Sequence, residues 1–596
     1  MQNAIQQGLT QLRAAMNAQG FHALIIPSAD PHLSEYLPSR WQGREVFSGF
    51  TGSVATLIVM PDFAGLWVDS RYWEQAEIEL AGSGISLMKI QSAAATAHID
   101  WLADNLLQGQ VLAVDGDVLS LAVARSMQSA FEAKQIRLET KVDLLNSVWT
   151  NRPALPDAAI FEHVPPFAVQ SRADKLSAIR LQMHAKGAQW HFVSTVDDIA
   201  WIFNLRGADV SYNPVFVSHA LIGLEGATLF VPRSKVTNEI AQHLQADGVR
   251  ICEYAQAGQA LAELPANSRL LIDPKRVTYG FRQAIAQHVQ VIEALNPSVL
   301  LKSRKNAQEA QFVREAMEQD GAALCEFFAW FEENLGQRSI TELDIDEQVC
   351  AARAKQNHFI SPSFGTIAGF NANGAMPHYR ATPASHAAIA GDGLLLIDSG
   401  GQYLNGTTDI TRVVPVGEVS AEQKRDFTLV LQGMIALSKM QFPSGTFSTV
   451  LDTVARAPMW AEGINYGHGT GHGVGYFLNV HEGPQSISAA IPNADMVMQE
   501  GMITSNEPGI YRSGKWGIRI ENLLLCIAGP STEFGSYLRF ETLTLCPIDS
   551  RCIARDLMRS DEIEWLNTYH EEVRKRLAPR LSGAALTWLH LRTQPF

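Results

Sequence analysis

The first turns of the chain place Ile5, Leu9, Leu12 and Met16 three and four residues apart with polar residues between them. One apolar stripe at that spacing predicts an amphipathic helix. Runs of a different texture follow: "FHALIIPS", "ATLIVM", "AGLWVD" and "QVLAVDG" are short apolar segments that alternate with helical stretches up to residue 150. Alternation of this kind predicts a layered α/β domain. The Pro-rich connector "NRPALPDAAIFEHVPPF" at 151–167 closes the first cycle, and a second begins after it. "FHALIIPSADPHLSEYL" can be laid against "WHFVSTVDDIAWIFNL", each read as a strand, an acidic turn and an apolar helix, so the two cycles are expected to be a duplication.

The texture changes at "SVLLKSRKNAQEAQFVREAMEQDGAALCEFFAWFEEN", where Ala310, Val313, Ala316, Met317, Gly321 and Leu324 keep helical spacing along a long segment. A third domain is expected to start there. The end of the chain, from "SDEIEWLNTYHEEVRKRL" onward, reads as two helices. The expected division is 1–155, 156–304 and 305–596, because a chain of 596 residues exceeds the size, about 250 to 300 residues, at which one core stops growing.

Composition narrows the functional classes. With 46% apolar and 18% charged residues the chain is globular, and its net charge of −14 offers no general attraction for nucleic acid. The densest positive runs, "KSRK" at 302–305 and "EEVRKR" at 571–576, are read as solvated helix faces. Six cysteines without a CxxC pair read as reduced thiols. No signal-peptide pattern and no apolar run long enough to span a bilayer is present, so a cytoplasmic location without membrane contact is the expectation.

Candidate chemistry gathers in the third domain. Asp398 ends the apolar run "GLLLIDSGGQY", and Asp409 follows in "GTTDITRVV". His472 lies in "HGTGHG", Glu507 in "MITSNEPGIY" and Glu521 in "WGIRIENLLLC". If "GIRIENL" is one strand, Arg519, Glu521 and Leu523 share a face. Asp398 alone could cap a turn. A carboxylate left buried and unpaired costs on the order of several kcal/mol, so for four acids and an imidazole at strand ends a shared cation is the economical reading. An oxygen-rich set of this kind suits Mn²⁺ or Co²⁺, and five ligands allow two ions, about 3.5 to 4 Å apart, to hold a hydroxide for attack on a carbonyl. His468 and His472 are four apart, as in helical zinc motifs, but the glycines between and around them exclude a helix; they permit close backbone approach instead.

These segments, in this order, resemble the pita-bread metallopeptidases. "HGTGHGVGYFLNVHEGPQSIS", "DSGGQYLNGTTDITR", "NEPGIYRSGKWGIRIEN" and "WLHLRTQP" resemble the three-domain Xaa-Pro aminopeptidase branch. So do "SEYLPSRWQGREVFSGFTGSVATLIV", "LWVDSRYWEQA", "DDIAWIFNLRGADVSYNPVF" and "SPSFGTIAGFNANGAMPHY". The resemblance implies two creatinase-like α/β domains followed by an α+β pita-bread catalytic domain. It implies an aminopeptidase that hydrolyses the bond before a penultimate proline with a water or hydroxide bridging two divalent ions, usually manganese. Asp398, Asp409, His472, Glu507 and Glu521 would bind the ions, Asp409 and Glu521 as bridges, with Glu507 also shuttling a proton. His378, His468 and His481 would assist as outer histidines that hold the substrate and stabilise charge on its carbonyl oxygen, and Arg71 would reach the substrate pocket. Peptides with proline second would be the partners, and a homodimer the assembly. A prolidase-like dipeptidase, a catalytically dead pita-bread binding module and a creatinase-type amidine hydrolase are the alternatives; all five ligand positions are filled, against the last two.

Overall fold

The N-terminal stripe forms as its spacing dictates: the helix Gln2–Gln19 buries Ile5, Leu9, Leu12 and Met16. In the computed structural model the chain divides into two units by its internal contacts, residues 1–164 with 170–299, and residues 165–169 with 300–596. Residues 2–91 and 96–596 are described.

The first unit contains two six-stranded sheets of the same topology. One runs Ser86–Lys89, Ala64–Val68, Thr56–Val59, Ala23–Pro27, Val111–Val114, Arg137–Glu139; the other runs Val249–Cys252, Ala227–Phe230, His219–Gly223, Trp190–Val193, Arg269–Ile272, Gln290–Glu293. Counted along the chain, both have the order fourth, third, second, first, fifth, sixth. Both join the first three strands antiparallel and the others parallel. The expected duplication is therefore present in the topology. Its detail needs one correction: the helix expected directly after the first strand forms in the second lobe, as Val196–Phe203, whereas in the first lobe the next α-helix, Gly43–Ser48, comes only after an intervening turn. In the first lobe the Asp30 carboxylate accepts the N–H groups of His32 and Ser34, both at 2.9 Å, and Leu33 takes φ 54°, so the segment turns instead.

The lobes join through matching segments. Ser120 bridges Thr278, and each caps the helix that follows it. Leu121 N–H donates to Val277 O at 3.0 Å, and Tyr279 N–H to Leu119 O at 2.7 Å. Nearby, His32 of one lobe stacks on His219 of the other with ring centroids 4.5 Å apart, and its Nδ1 lies 2.7 Å from Ser194 O.

In the second unit Asn306 caps the long helix Ala307–Asn334 through a capping box with Glu309, and the helix buries Ala310, Val313, Ala316, Met317, Gly321 and Leu324. A six-stranded sheet runs Gln441–Pro443, Gly535–Thr542, Asn522–Thr532, Ile503–Asn506, Gly471–Gly473, Glu482–Ile487, and a three-stranded one Ile367–Phe370, Gly393–Ser399, Ile410–Val416. Helices Ala421–Ser438 and Ser448–Trp460 belong to the same unit, and Ser560–Leu577 and Gly583–Arg592 close the chain. The first unit is α/β, as the alternation of apolar runs and helical stretches predicts, and the second is α+β, as the resemblance implies. Among the described residues no helix is long and apolar enough to cross a membrane.

The positive runs require correction. Lys302 and Lys305 are 5% and 4% exposed rather than solvated. In the other run Lys575 is exposed, but Arg576 pairs with Glu318 at 2.9 Å and Arg574 donates to Thr593 O at 2.7 Å. Helical spacing reveals a charge but not its partner, and these partners come from distant parts of the chain.

The buried imidazoles make the first unit acid-sensitive. Burial lowers the pKa of His32, His191 and His219, that of His191 to about 4. Each is held neutral in the fold but takes a proton near pH 6.5 once unfolded, so their contribution is complete above about 6.5 and lost as pH falls toward each lowered folded value, about 4 for His191. For His191 the expected loss is about 1.4 kcal/mol for each pH unit crossed in that interval. Urea unfolding of the full chain followed at pH 7 and pH 5 will show the lower midpoint at pH 5.

Candidate metal centre

The five ligand-type residues stand where strands of the second unit end. Asp398 is the penultimate residue of Gly393–Ser399, a strand buried throughout, and Asp409 immediately precedes Ile410–Val416, its antiparallel neighbour. His472 is the middle of Gly471–Gly473, Glu507 follows Ile503–Asn506, and Glu521 precedes Asn522–Thr532. Those three strands are adjacent in the six-stranded sheet. The glycines flanking His472 are required by that closeness. A Cβ on Gly471 would lie 1.9 Å from Ser505 O, and one on Gly473 2.4 Å from Glu482 O.

His472 Nε2 is 3.5 Å from Asp409 Oδ2 and 3.4 Å from Glu507 Oε1. Asp409, His472 and Glu521 each offer a ligand atom within 4.8 Å of the others. His472 Nδ1 faces Gly473 O at 2.9 Å, which orients Nε2 toward the carboxylates. Asp398 joins the group through Arg519, which the sequence pattern places beside Glu521 but without a role in the site. Arg519 Nη2 donates to Asp398 Oδ2 at 2.5 Å and its Nε to Thr411 Oγ1 at 3.1 Å, while the Thr411 hydroxyl donates to Glu521 Oε2 at 2.8 Å. The single strand expected across 516–523 is broken at Ile520 and Glu521: Trp516–Arg519 pairs with Gly509–Arg512, whereas Asn522–Thr532 pairs with Ile503–Asn506. Arg519 and Glu521 nevertheless reach the same Thr411 hydroxyl.

Crowding of buried carboxylates shifts their acidity. Burial, reinforced by Asp409 and Glu507 and opposed by Arg519, pushes Asp398 up to about 7. Burial also raises Glu507, and raises Glu521 well above the usual carboxylate range with Asp409, Glu507 and Asp398 adding to it. For His472 burial disfavours the charged ring, but Asp409 and Glu507 outweigh it and lift the ring to about 9. Asp398 Oδ1 and Glu521 Oε1 are buried without a hydrogen-bond partner. Orphaned carboxyl oxygens beside a ring nitrogen and further acids are the donor set of a hard or borderline divalent ion, so these residues fit such ions.

The assisting residues are placed differently. His481 meets the His472 ring edge-on, with centroids 4.2 Å apart. Both ring nitrogens of His468 face protein atoms, Nδ1 the Gly469 carbonyl and Nε2 the Tyr511 hydroxyl, each at 2.7 Å. Tyr511 in turn accepts from Arg519 Nη1 at 2.7 Å, so His468 reaches the acidic group through Tyr511 and Arg519. Beneath this loop Arg456 donates to Tyr466 O at 2.8 Å, His468 O at 2.7 Å and Asp452 at 2.6 Å. His378 is half-buried in the turn that Tyr379 N–H closes on Met376 O. Arg71 lies in the first unit, held by Asp69 through two hydrogen bonds of 2.8 Å. Arg519 had a signal available, an arginine in an apolar run two residues before an acid; Arg456, Thr411 and Tyr511 had none.

Comparison with known proteins gives this arrangement a context. Residues 311–528 match the metallopeptidase family M24, residues 9–148 and 151–309 each match a creatinase/prolidase N-terminal domain, and 536–596 match the C-terminal region of the peptidase family. Aminopeptidase P2 of Arabidopsis thaliana is 38% identical across 97% of this chain and 86% of its own length. The chain belongs to the three-domain aminopeptidase P family. Xaa-Pro aminopeptidase 1 of Dictyostelium discoideum is 36% identical over 99% of this chain and 97% of its own. Among solved structures, the X-prolyl aminopeptidase of Caenorhabditis elegans, described as a cytosolic enzyme with a di-nuclear active site, superposes with a TM-score of 0.94 at 29% identity, covering 99% of this chain and 100% of that one.

Raised carboxyl pKa values make ion uptake compete with protons. Without ions, the raised pKa values of Asp398, Glu507 and Glu521 favour their protonated forms, and binding must expel those protons, so affinity rises with pH. Titration calorimetry of ion-free protein in two buffers of different ionisation enthalpy will show proton release. Affinity will weaken from pH 8 to pH 6 by about tenfold per pH unit for each proton displaced.

Proposed function

We infer that the chain is a metal-dependent Xaa-Pro aminopeptidase, hydrolysing the bond between an N-terminal residue and a penultimate proline. One observation carries the reading: four carboxylates and an imidazole converge at strand ends, with orphaned oxygens on Asp398 and Glu521, in a chain similar along its whole length to aminopeptidases of this specificity. In this reading Asp398, Asp409, His472, Glu507 and Glu521 would hold two divalent ions, with Asp409 and Glu521 serving both. Manganese is proposed from the oxygen-rich donor set. The ions supply, when bound, the Lewis acidity that lets water attack an amide carbonyl at neutral pH.

The protein's own groups do the rest. Glu507, its carboxyl raised by burial, accepts the proton of the attacking water and returns it to the departing proline nitrogen. His481 and His378 face the substrate and steady the charge that develops on its carbonyl oxygen. His468 acts from behind, through Tyr511 and Arg519. Arg71 is assigned to the substrate, its guanidinium held flat by Asp69. An Xaa-Pro bond is a tertiary amide with no N–H, so recognition by that donor is impossible; a pocket that reads the free amine and the pyrrolidine ring together serves instead. The division 1–155, 156–304 and 305–596, a homodimer and a cytoplasmic location complete the proposal. The last is supported by six free cysteines and by the cytosolic description of the nematode relative.

A prolidase-like dipeptidase has less support, since the full-length relatives cited above are aminopeptidases. The filled ligand set argues against a catalytically dead binding module. Purified protein loaded with Mn²⁺ will release the first residue of a tripeptide whose second residue is proline and will lose activity when alanine replaces that proline; turnover of Xaa-Pro dipeptides alone would refute the assignment. Glu507→Gln will lower kcat by about 10²- to 10⁴-fold, measured at saturating Mn²⁺.

A further inference from the structure

His472 and His481 come from the two feet of one loop. Gly473 pairs with Glu482 across its neck, residues 474–481 form the loop, and the two imidazoles meet on one side of it. The neck encloses the ammonium of Lys305, whose side chain is 0% exposed. Lys305 Nζ donates to Val474 O at 2.6 Å and to Glu482 Oε1 at 2.6 Å. One charge thus binds the residue two beyond His472 to the residue one beyond His481. Lys302 Nζ stands 3.8 Å from the other Glu482 oxygen.

Lys305 is itself anchored through its backbone. Its N–H donates to Gly501 O at 2.8 Å, Arg304 bridges Met502, and the next residue, Asn306, caps the long helix. Gly501 and Met502 lead directly into Ile503–Asn506 and Glu507. The far end of the loop is held as well, by Gln402 Nε2 donating to Leu478 O at 2.7 Å. We infer that Lys305, paired with Glu482, is a positioning residue that sets His472 and His481 against each other and against Glu507. The inference rests on the peptidase reading above, and it touches neither the ions nor the substrate.

A buried ion pair allows positioning to be separated from stability. Removing one partner leaves an uncompensated buried charge and destabilises strongly, whereas replacing both is often near neutral. Lys305→Met, Glu482→Gln and the double variant, each built on a Lys302→Met background so that no other buried ammonium stands beside residue 482, are compared with that background protein at saturating Mn²⁺ on a tripeptide with proline second. The double variant is expected to regain the melting temperature that Lys305→Met loses, yet to keep kcat down by about 10²-fold, the cost of misplacing a catalytic group by about 1 Å, with KM within about threefold. Recovery of kcat together with melting temperature would make the pair merely structural and overturn the inference. Failure of the unaltered protein to cleave the tripeptide would instead strike the peptidase reading. Imidazole resonances of ¹⁵N-histidine-labelled protein provide the same test without turnover: those of His472 and His481 shift in the double variant while that of His590 does not, and unmoved resonances for the pair would overturn the inference.

Discussion

Mutual repulsion among Asp398, Asp409, Glu507 and Glu521 is the constraint on which the second unit is organised. Each of the four sits where burial penalises its charge, and three of them are raised in pKa as a result. No gain in packing would repay that arrangement; buried anions persist where something cationic compensates them. Arg519 compensates part of it, reaching Asp398 directly and Glu521 through the Thr411 hydroxyl. Orphaned oxygens remain on Asp398 and Glu521, so the arginine orients the acids without saturating them. A set left short of positive charge in this way is prepared to take up ions.

The scaffold meets the constraint with strand ends and buried cations under the loops. Asp398 and Asp409 stand at one end of a hairpin, and His472, Glu507 and Glu521 at the margins of three adjacent strands, so pleated backbone rather than flexible loop fixes most Cα positions. Where loops do contribute, a buried cation grips their carbonyls: Arg456 under 465–470 and Lys305 under 474–481. The glycine-rich segment is therefore not loose. Its glycines admit neighbouring backbones that side chains would exclude, and its carbonyls are held by donors from elsewhere.

Much of this was legible in the sequence because local pattern and burial agree. The stripe Ile5, Leu9, Leu12 and Met16 could be read because its helix packs one face only, and the duplicated lobes because both repeat the same alternation. Asp398, Asp409, His472, Glu507 and Glu521 stood out as ligand-type residues at the borders of apolar runs. Arg519 did not, since its partners Asp398 and Thr411 are distant in sequence. Nor did Lys305: a lysine beside a serine and an arginine looks solvated until the loop that encloses it is built. The turn at Asp30 misled for the opposite reason, a short-range capture of N–H groups by a carboxylate overriding an apolar pattern that a helix could have used.

The bridge between Ser120 and Thr278 joins residues that occupy the same place in the two lobes, each at the start of the helix that follows the fifth strand. A surface that meets its own counterpart is the signature of an isologous contact, the kind that closes a twofold homodimer. The first unit thus carries, inside one polypeptide, a seam with the pseudo-twofold character of such a contact. Within one chain the two halves need not be identical, and directly after the first strand one forms a helix where the other makes a turn.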